Sequence, residues 1–97
     1  MTRLEIRTDA ARDIERVAFW YEARRPDLGV KFTDEARLLL RRIAENPLQF
    51  PIVYRDIRRA LMHQFPFAVY FRVVEDNASV IAVMDLRRNT SRWRSRI

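Results

Sequence analysis

The chain has 97 residues, of which 19 are basic and 13 acidic, giving a formal charge of +6 and a sequence pI near 10.9. That length holds one domain, residues 1–97, and the 48% hydrophobic content supplies a single core and excludes a disordered tail. With no Cys, one Gly (Gly29) and one His (His63), the inventory excludes disulfide scaffolds, thiolate zinc sites, Cys nucleophiles and phosphate-cradling glycine loops. No metal and no cofactor is expected.

Arg3-Leu4-Glu5-Ile6-Arg7 alternates polar and apolar residues, the period of a half-buried strand. Thr8 and Asp9 then offer N-cap oxygens, and Ala11, Ile14, Val17, Ala18 and Tyr21 recur at helical spacing up to about Arg25. Pro26-Asp27-Leu28-Gly29 breaks that helix, because Pro removes a donor and Gly tolerates a left-handed backbone. A second helix follows directly, with Phe32, Ala36, Leu39, Leu40 and Ile43 as its apolar stripe, and Asn46-Pro47 ends it. Residues 47–56 contain two prolines and no periodic stripe, so an irregular crossover is expected there. Residues 57–65, 67–74 and 79–86 are rich in β-branched and aromatic side chains and read as three consecutive strands, bounded by Pro66 and Asp76-Asn77. In the middle strand Phe67, Val69, Phe71 and Val73 share the face better suited to a core. Residues 87–97 carry five Arg and one Trp and read as a basic tail or short terminal helix.

The order β-α-α-β-β-β gives an α+β domain in which a helical hairpin covers one face of a mostly antiparallel sheet. The crossover formed by both helices returns the first strand parallel to a later one, and the other sheet face is expected to be poorly covered, inviting a partner. No run reaches the roughly 18 apolar residues of a membrane span. The N-terminus also lacks the apolar core of a secretory signal, so a cytoplasmic protein is expected.

Charge is distributed unevenly. Residues 1–54 hold ten bases and nine acids (+1), whereas residues 55–97 hold nine bases and four acids (+5). All but one of the bases, Lys31, are Arg, the side chain suited to bidentate contacts with carboxylates and phosphates. A basic C-terminal half points to an acidic partner. Arg58-Arg59 opens one strand and Arg87-Arg88 closes another, so sheet pairing can bring one Arg of each doublet towards a shared cluster. Phe19-Trp20-Tyr21 spans about 200° of a helix, so these aromatics cannot all face the core. Tyr21 fits the stripe, which leaves Phe19 and Trp20 as contact residues. Trp93, amid Arg92, Arg94 and Arg96, reads either as a stacking platform or as a cap folded back on the sheet edge. His63 alone, with no fixed acid or base companion, makes a weak catalytic site.

The segment FPFAVYFRVVEDNASVIAVMDLRRNTSRW resembles the C-terminal half of ParE-type toxins of the RelE/ParE superfamily, and the similarity extends over nearly the whole chain. Such toxins begin with a short strand, continue with an Ala-rich helix like Ala10-Ala11-Arg12-Asp13-Ile14, and carry a Pro after the second helix, as at Pro47. Arg58-Arg59, Phe65-Pro66-Phe67, Tyr70, Arg72, Arg87-Arg88 and Trp93 then follow in the family's order. The resemblance implies the toxin of a type II toxin-antitoxin pair. Such a toxin has no reaction of its own, inhibits DNA gyrase, and is neutralised by a ParD-like antitoxin whose acidic, amphipathic C-terminal segment wraps it. A 2:2 or higher hetero-oligomer follows if the antitoxin is a dimer.

RelE-type relatives instead cleave messenger RNA on the ribosome, and this is the alternative reading. For that chemistry Arg59 and Arg87 or Arg88 match phosphate-contacting arginines. Trp93, however, falls near a catalytic Tyr, and indole has no titratable hydroxyl. Tyr54 and Arg55 stand where that type uses lysines, and Asp85 stands where many relatives have His, a carboxylate that repels phosphate. These departures favour gyrase. Phe19, Trp20, Arg58, Arg59, Tyr70 and Arg72 are expected to meet the antitoxin, and Arg87, Arg88, Arg92, Trp93 and Arg94 the target.

Overall fold

A computed structural model describes residues 2–88 and 90–97. Strand β1 (Arg3–Ile6) leads into helix α1 (Thr8–Arg24) and helix α2 (Leu28–Glu45). A 3-10 turn (Pro47–Gln49) precedes strands β2 (Ile52–Tyr54), β3 (Ile57–Leu61), β4 (Phe67–Val74) and β5 (Asn77–Asp85), and a 3-10 segment (Thr90–Arg96) follows. The sheet order is β1-β5-β4-β3-β2. As expected, β1 returns parallel, onto β5, and the remaining pairs are antiparallel.

The helical hairpin covers one face. From α2, Phe32, Ala36, Leu39, Leu40 and Ile43 meet Phe67, Val69 and Phe71 of β4. Edge-on aromatic contacts tie the layers together: Tyr21 lies 4.9 Å from Phe65 and Phe32 lies 5.4 Å from Phe67, between ring centroids. Of the expected stripe of α1, Ile14, Val17, Ala18 and Tyr21 pack, partly buried, against this core. The fully buried residues of α1 are Ala10 and Asp13, while Ala11 is only half-buried.

Four local readings need correction. First, residues 52–54 are not irregular but form an edge strand paired with β3. Three residues after Pro51 are too few to show a period, and the hairpin turn has no Gly or Asn, since Arg55 itself takes the left-handed conformation at φ 52°. Second, the β4–β5 turn lies one residue earlier than expected, with Glu75 at φ 56°, so β5 starts at Asn77. Third, neither Thr8 nor Asp9 caps α1: Arg7 occupies the cap position without a side-chain hydrogen bond. Fourth, Gly29 does not supply the left-handed residue between the helices. Asp27 does, at φ 71°. Gly29 lies within α2 and permits close packing, since a Cβ there would stand 2.4 Å from the Ala18 carbonyl oxygen. The α2 N-terminus is capped across the hairpin by Glu22, whose carboxylate accepts the N–H groups of Asp27 and Gly29, both at 2.9 Å.

The second sheet face is also better covered than expected. Ile57, Ala68, Tyr70, Ile81 and Ala82 are fully or almost fully buried there beneath Trp93, with Tyr54, Met84 and Ile97 packed around them. Trp93 stacks on Tyr70 at 4.6 Å and meets Tyr54 edge-on at 5.6 Å. Charge pins this C-terminal cover in place. Because β1 ends opposite Val80, the outer edge of β5 has no strand neighbour beyond that point. The buried carboxylate of Asp13 accepts the Val83 N–H there (2.9 Å), and the Arg96 guanidinium donates to both Asp13 oxygens (2.7 and 3.1 Å) and to the Ile81 carbonyl (3.2 Å). Strand β5 carries a bulge at Ile81, the extra residue between the pairs Tyr70–Ala82 and Phe71–Val80.

Candidate functional site

A concave site of about 360 Å³ opens where the C-terminal half of α1 passes the end of β5. Its size is that of a small ligand pocket or of a socket for a few side chains of a partner. Arg16 and Trp20, one helical turn apart on the same face of α1, form one wall. The floor is apolar: Val17 of α1, Phe67 of β4, and Val83 and Met84 of β5. Arg87, Arg88 and Arg92 form the opposite wall as the chain leaves β5. The antiparallel register sets Phe67 opposite Asp85, and the Leu86 N–H donates to the Pro66 carbonyl at 2.8 Å, which fixes the start of that wall.

The electrostatics are ordered by Asp85. Its oxygens accept the Arg87 backbone N–H (2.8 Å), Nε (3.1 Å) and a terminal guanidinium nitrogen (2.9 Å). Hydrogen bonding from Arg87 holds the Asp85 carboxyl below its ordinary range against the opposing effect of burial, and the same bond raises the Arg87 guanidinium above its own. The repulsion expected from Asp85 is therefore largely cancelled within a closed pair. Arg16 leans on Asp13 at 2.8 Å with its side chain mostly exposed. Arg88 and Arg92 form no ion pair among the described residues. Trp20 is 43% exposed, with the Arg24 guanidinium 3.6 Å from its ring centroid. The result is an apolar floor under a cationic rim.

The family described as ParE toxin of type II toxin-antitoxin system, parDE, matches residues 4–93. This chain belongs to the ParE toxin family. The ParE fold also appears in a solved structure described as the chromosomal ParDE TA system from P. aeruginosa, with a TM-score of 0.80 at 18% identity, over 89% of this chain and 97% of that one. None of the curated proteins matches.

In this ParE toxin the residues singled out from sequence are dispersed over several places. Trp20, Arg87, Arg88 and Arg92 meet in the pocket. Phe19, 78% exposed, diverges from Trp20 and borders a shallow groove between the helices, beside Val30, Glu15 and Asp34. Tyr70 and Trp93 are buried against each other, so in this conformation they build the second face and present no contact surface of their own. The Arg94 guanidinium lies over the Tyr54 ring at 4.1 Å on that side.

The arginine doublets are not brought into one cluster. Arg58 donates to the Phe50 carbonyl at 2.7 Å, and Arg59 sits opposite Tyr70 on the second face. Arg72 clasps Asp56 at 2.8 and 3.1 Å. His63 lies in the β3–β4 turn, where its backbone N–H donates to the Glu35 carboxylate, and does not line the pocket.

Sequence reasoning missed Arg16, Val17, Phe67, Val83 and Met84 as pocket residues. Arg16 had a usable signal, because it precedes Trp20 by four positions on one helix. Asp13 and Arg96 were missed as the pin of the C-terminal segment. Here the signal was a carboxylate standing at helical spacing among Ala10, Ile14 and Val17.

Proposed function

We propose that this ParE toxin acts by binding DNA gyrase without a reaction of its own, in the cytoplasm, and is held inactive by a ParD-like antitoxin. The observation that supports this most is the pocket itself. Trp20 and an apolar floor beneath several guanidinium groups make a surface suited to gripping a protein, because aromatic and Arg side chains carry most interface energy. The lone His63 stands apart from it. An acidic, amphipathic antitoxin segment fits a chain whose residues 55–97 carry a net +5. An assembly of two toxins and two antitoxins, or a larger one, follows from a dimeric antitoxin.

The test is a purified gyrase supercoiling assay with toxin alone and with antitoxin added, run beside a ribosome-programmed messenger-cleavage assay. Loss of supercoiling that antitoxin restores, with messenger intact, is the expected result. His63→Ala should leave the inhibition unchanged, and Arg88→Ala with Arg92→Ala should weaken it gradually. Cleaved messenger with unaffected gyrase would overturn the proposal.

A further inference from the structure

The cover over the second sheet face is attached by side chains. Among the described residues, no backbone group of residues 92–97 pairs with backbone outside that segment, and the Ile97 N–H returns to the Arg94 carbonyl within it. What holds it is the Arg96–Asp13 ion pair at 2.7 Å, the Arg7 guanidinium on the Arg96 carbonyl at 3.2 Å, and the stack of Trp93 on Tyr70. A segment with no backbone ladder to the sheet belongs to the part of a fold that opens first. Closure also carries a penalty. The Tyr70 hydroxyl and Arg59 Nε are both buried without a hydrogen-bond partner, on residues that the register sets opposite each other on this face. A buried donor left unpaired has lost its hydration with nothing in exchange.

We infer that residues 92–97 form an autoinhibitory strap that lifts off the sheet while the helix–sheet core stays folded. The helices pack on the other face, and β3, β4 and β5 pair without the strap, so the core keeps its own contacts. Lifting hydrates the two unpaired donors and uncovers Tyr54, Tyr70 and Trp93 beside the guanidinium groups of Arg59 and Arg94. These side chains are a contact surface in the open form alone. A partner that grips them binds more weakly than its intrinsic affinity by the open fraction. Which partner does so rests on the toxin-antitoxin reading above, whereas the opening is a property of the chain by itself.

The measurement uses the full chain and neither gyrase nor antitoxin, so its failure is distinguishable from failure of the gyrase proposal. The sequence has no Cys, and one introduced thiol therefore reports its own burial. Ala82→Cys reads the strap from the face beneath Trp93, and Ala60→Cys reads global unfolding from the core under the helices; both positions are 0% exposed. Labelling by dithionitrobenzoate is followed in dilute urea and scaled to each unfolded variant. It should run about tenfold faster or more in Ala82→Cys than in Ala60→Cys, and depend less on urea, because local opening exposes little surface. Added to Ala82→Cys, Tyr70→Phe removes the unpaired hydroxyl and should slow labelling severalfold. Arg96→Gln should speed it by about tenfold. Circular dichroism checks each fold, and Ala68→Cys, equally buried on that face, is the second reporter. Equal labelling on the two faces, labelling no slower in Tyr70→Phe, or labelling unchanged in Arg96→Gln would each overturn the inference.

Discussion

At the scale of single residues, Asp13 organises more of the structure than any other charged group. A fully buried carboxylate is costly unless its oxygens are satisfied, and here they accept from Arg96, Arg16 and the Val83 N–H. Removing it strands the Val83 N–H and releases the Arg96 guanidinium, whose side chain is 22% exposed and can recover some hydration. Asp13→Ala should therefore cost about 3 kcal/mol, at the lower end for a broken buried pair. Arg16→Ala, on the exposed arm of the same cluster, should cost less than about 1 kcal/mol. Urea midpoints compared at constant slope check both. Equal losses would show that the cluster is not organised around Arg96. Such a residue is half-legible from sequence: its place on an apolar helical stripe marks it as unusual, but its partner 83 positions away does not show.

Among the elements, the strands richest in β-branched and aromatic residues are the ones the pattern locates well, β4 to the residue. Elements defined by tertiary contact escape it. Strand β2 has three residues, and its turn uses Arg55 in a conformation that usually advertises itself by Gly or Asn. The 3-10 segment carries so much Arg that composition reads it as solvated, yet its one Trp is buried. Trp93→Ala should destabilise the fold by about 3–5 kcal/mol, because it opens the stack on Tyr70 and exposes Ala68 and Ile81. It follows that deleting residues 87–97 confounds loss of toxicity with loss of the fold, whereas point changes at Arg88 and Arg92 do not. Thermal unfolding of Trp93→Ala beside Arg92→Ala separates the two.

The turns respond to acid. Hydrogen bonding from Arg72 and Arg87 holds the Asp56 and Asp85 carboxyls below their ordinary value. A carboxyl depressed on folding contributes its full stability above its unfolded pKa, about 4, and loses it as pH falls through the lowered folded value. Amide shifts of residues 55–56 and 85–88 should thus move only below about pH 4. Movement centred above pH 5 would contradict the assignment. The effect on stability is small for Asp56, whose side chain is 56% exposed.

Over the whole molecule, the +5 of residues 55–97 gains direction from folding, because the turn after β5 brings Arg87, Arg88 and Arg92 alongside α1. Trp20 on one side and the Arg cluster on the other are each conspicuous in the sequence. Their meeting is not, since it depends on how α1 crosses the sheet and on where β5 ends. The floor was invisible for a different reason: Val17, Phe67 and Val83 look like any other core residues, and Phe67 and Val83 are indeed buried in the core beneath the pocket.

The same long-range closure sets a clock on synthesis. Among the described residues strand β1 pairs with β5 alone, and Asp13 has its bidentate partner in Arg96, so the N-terminal quarter, although α1 can pack on α2, completes these contacts only once residues 77–96 are made. At about 5–20 residues per second, 83 residues take roughly 4–17 s to translate. A protease pulse on ribosome-stalled chains should cut those halted before residue 77 freely and spare those that have released residue 96. During that interval the growing polypeptide has no complete pocket, and whatever captures it meets a newly closed molecule rather than one already at work.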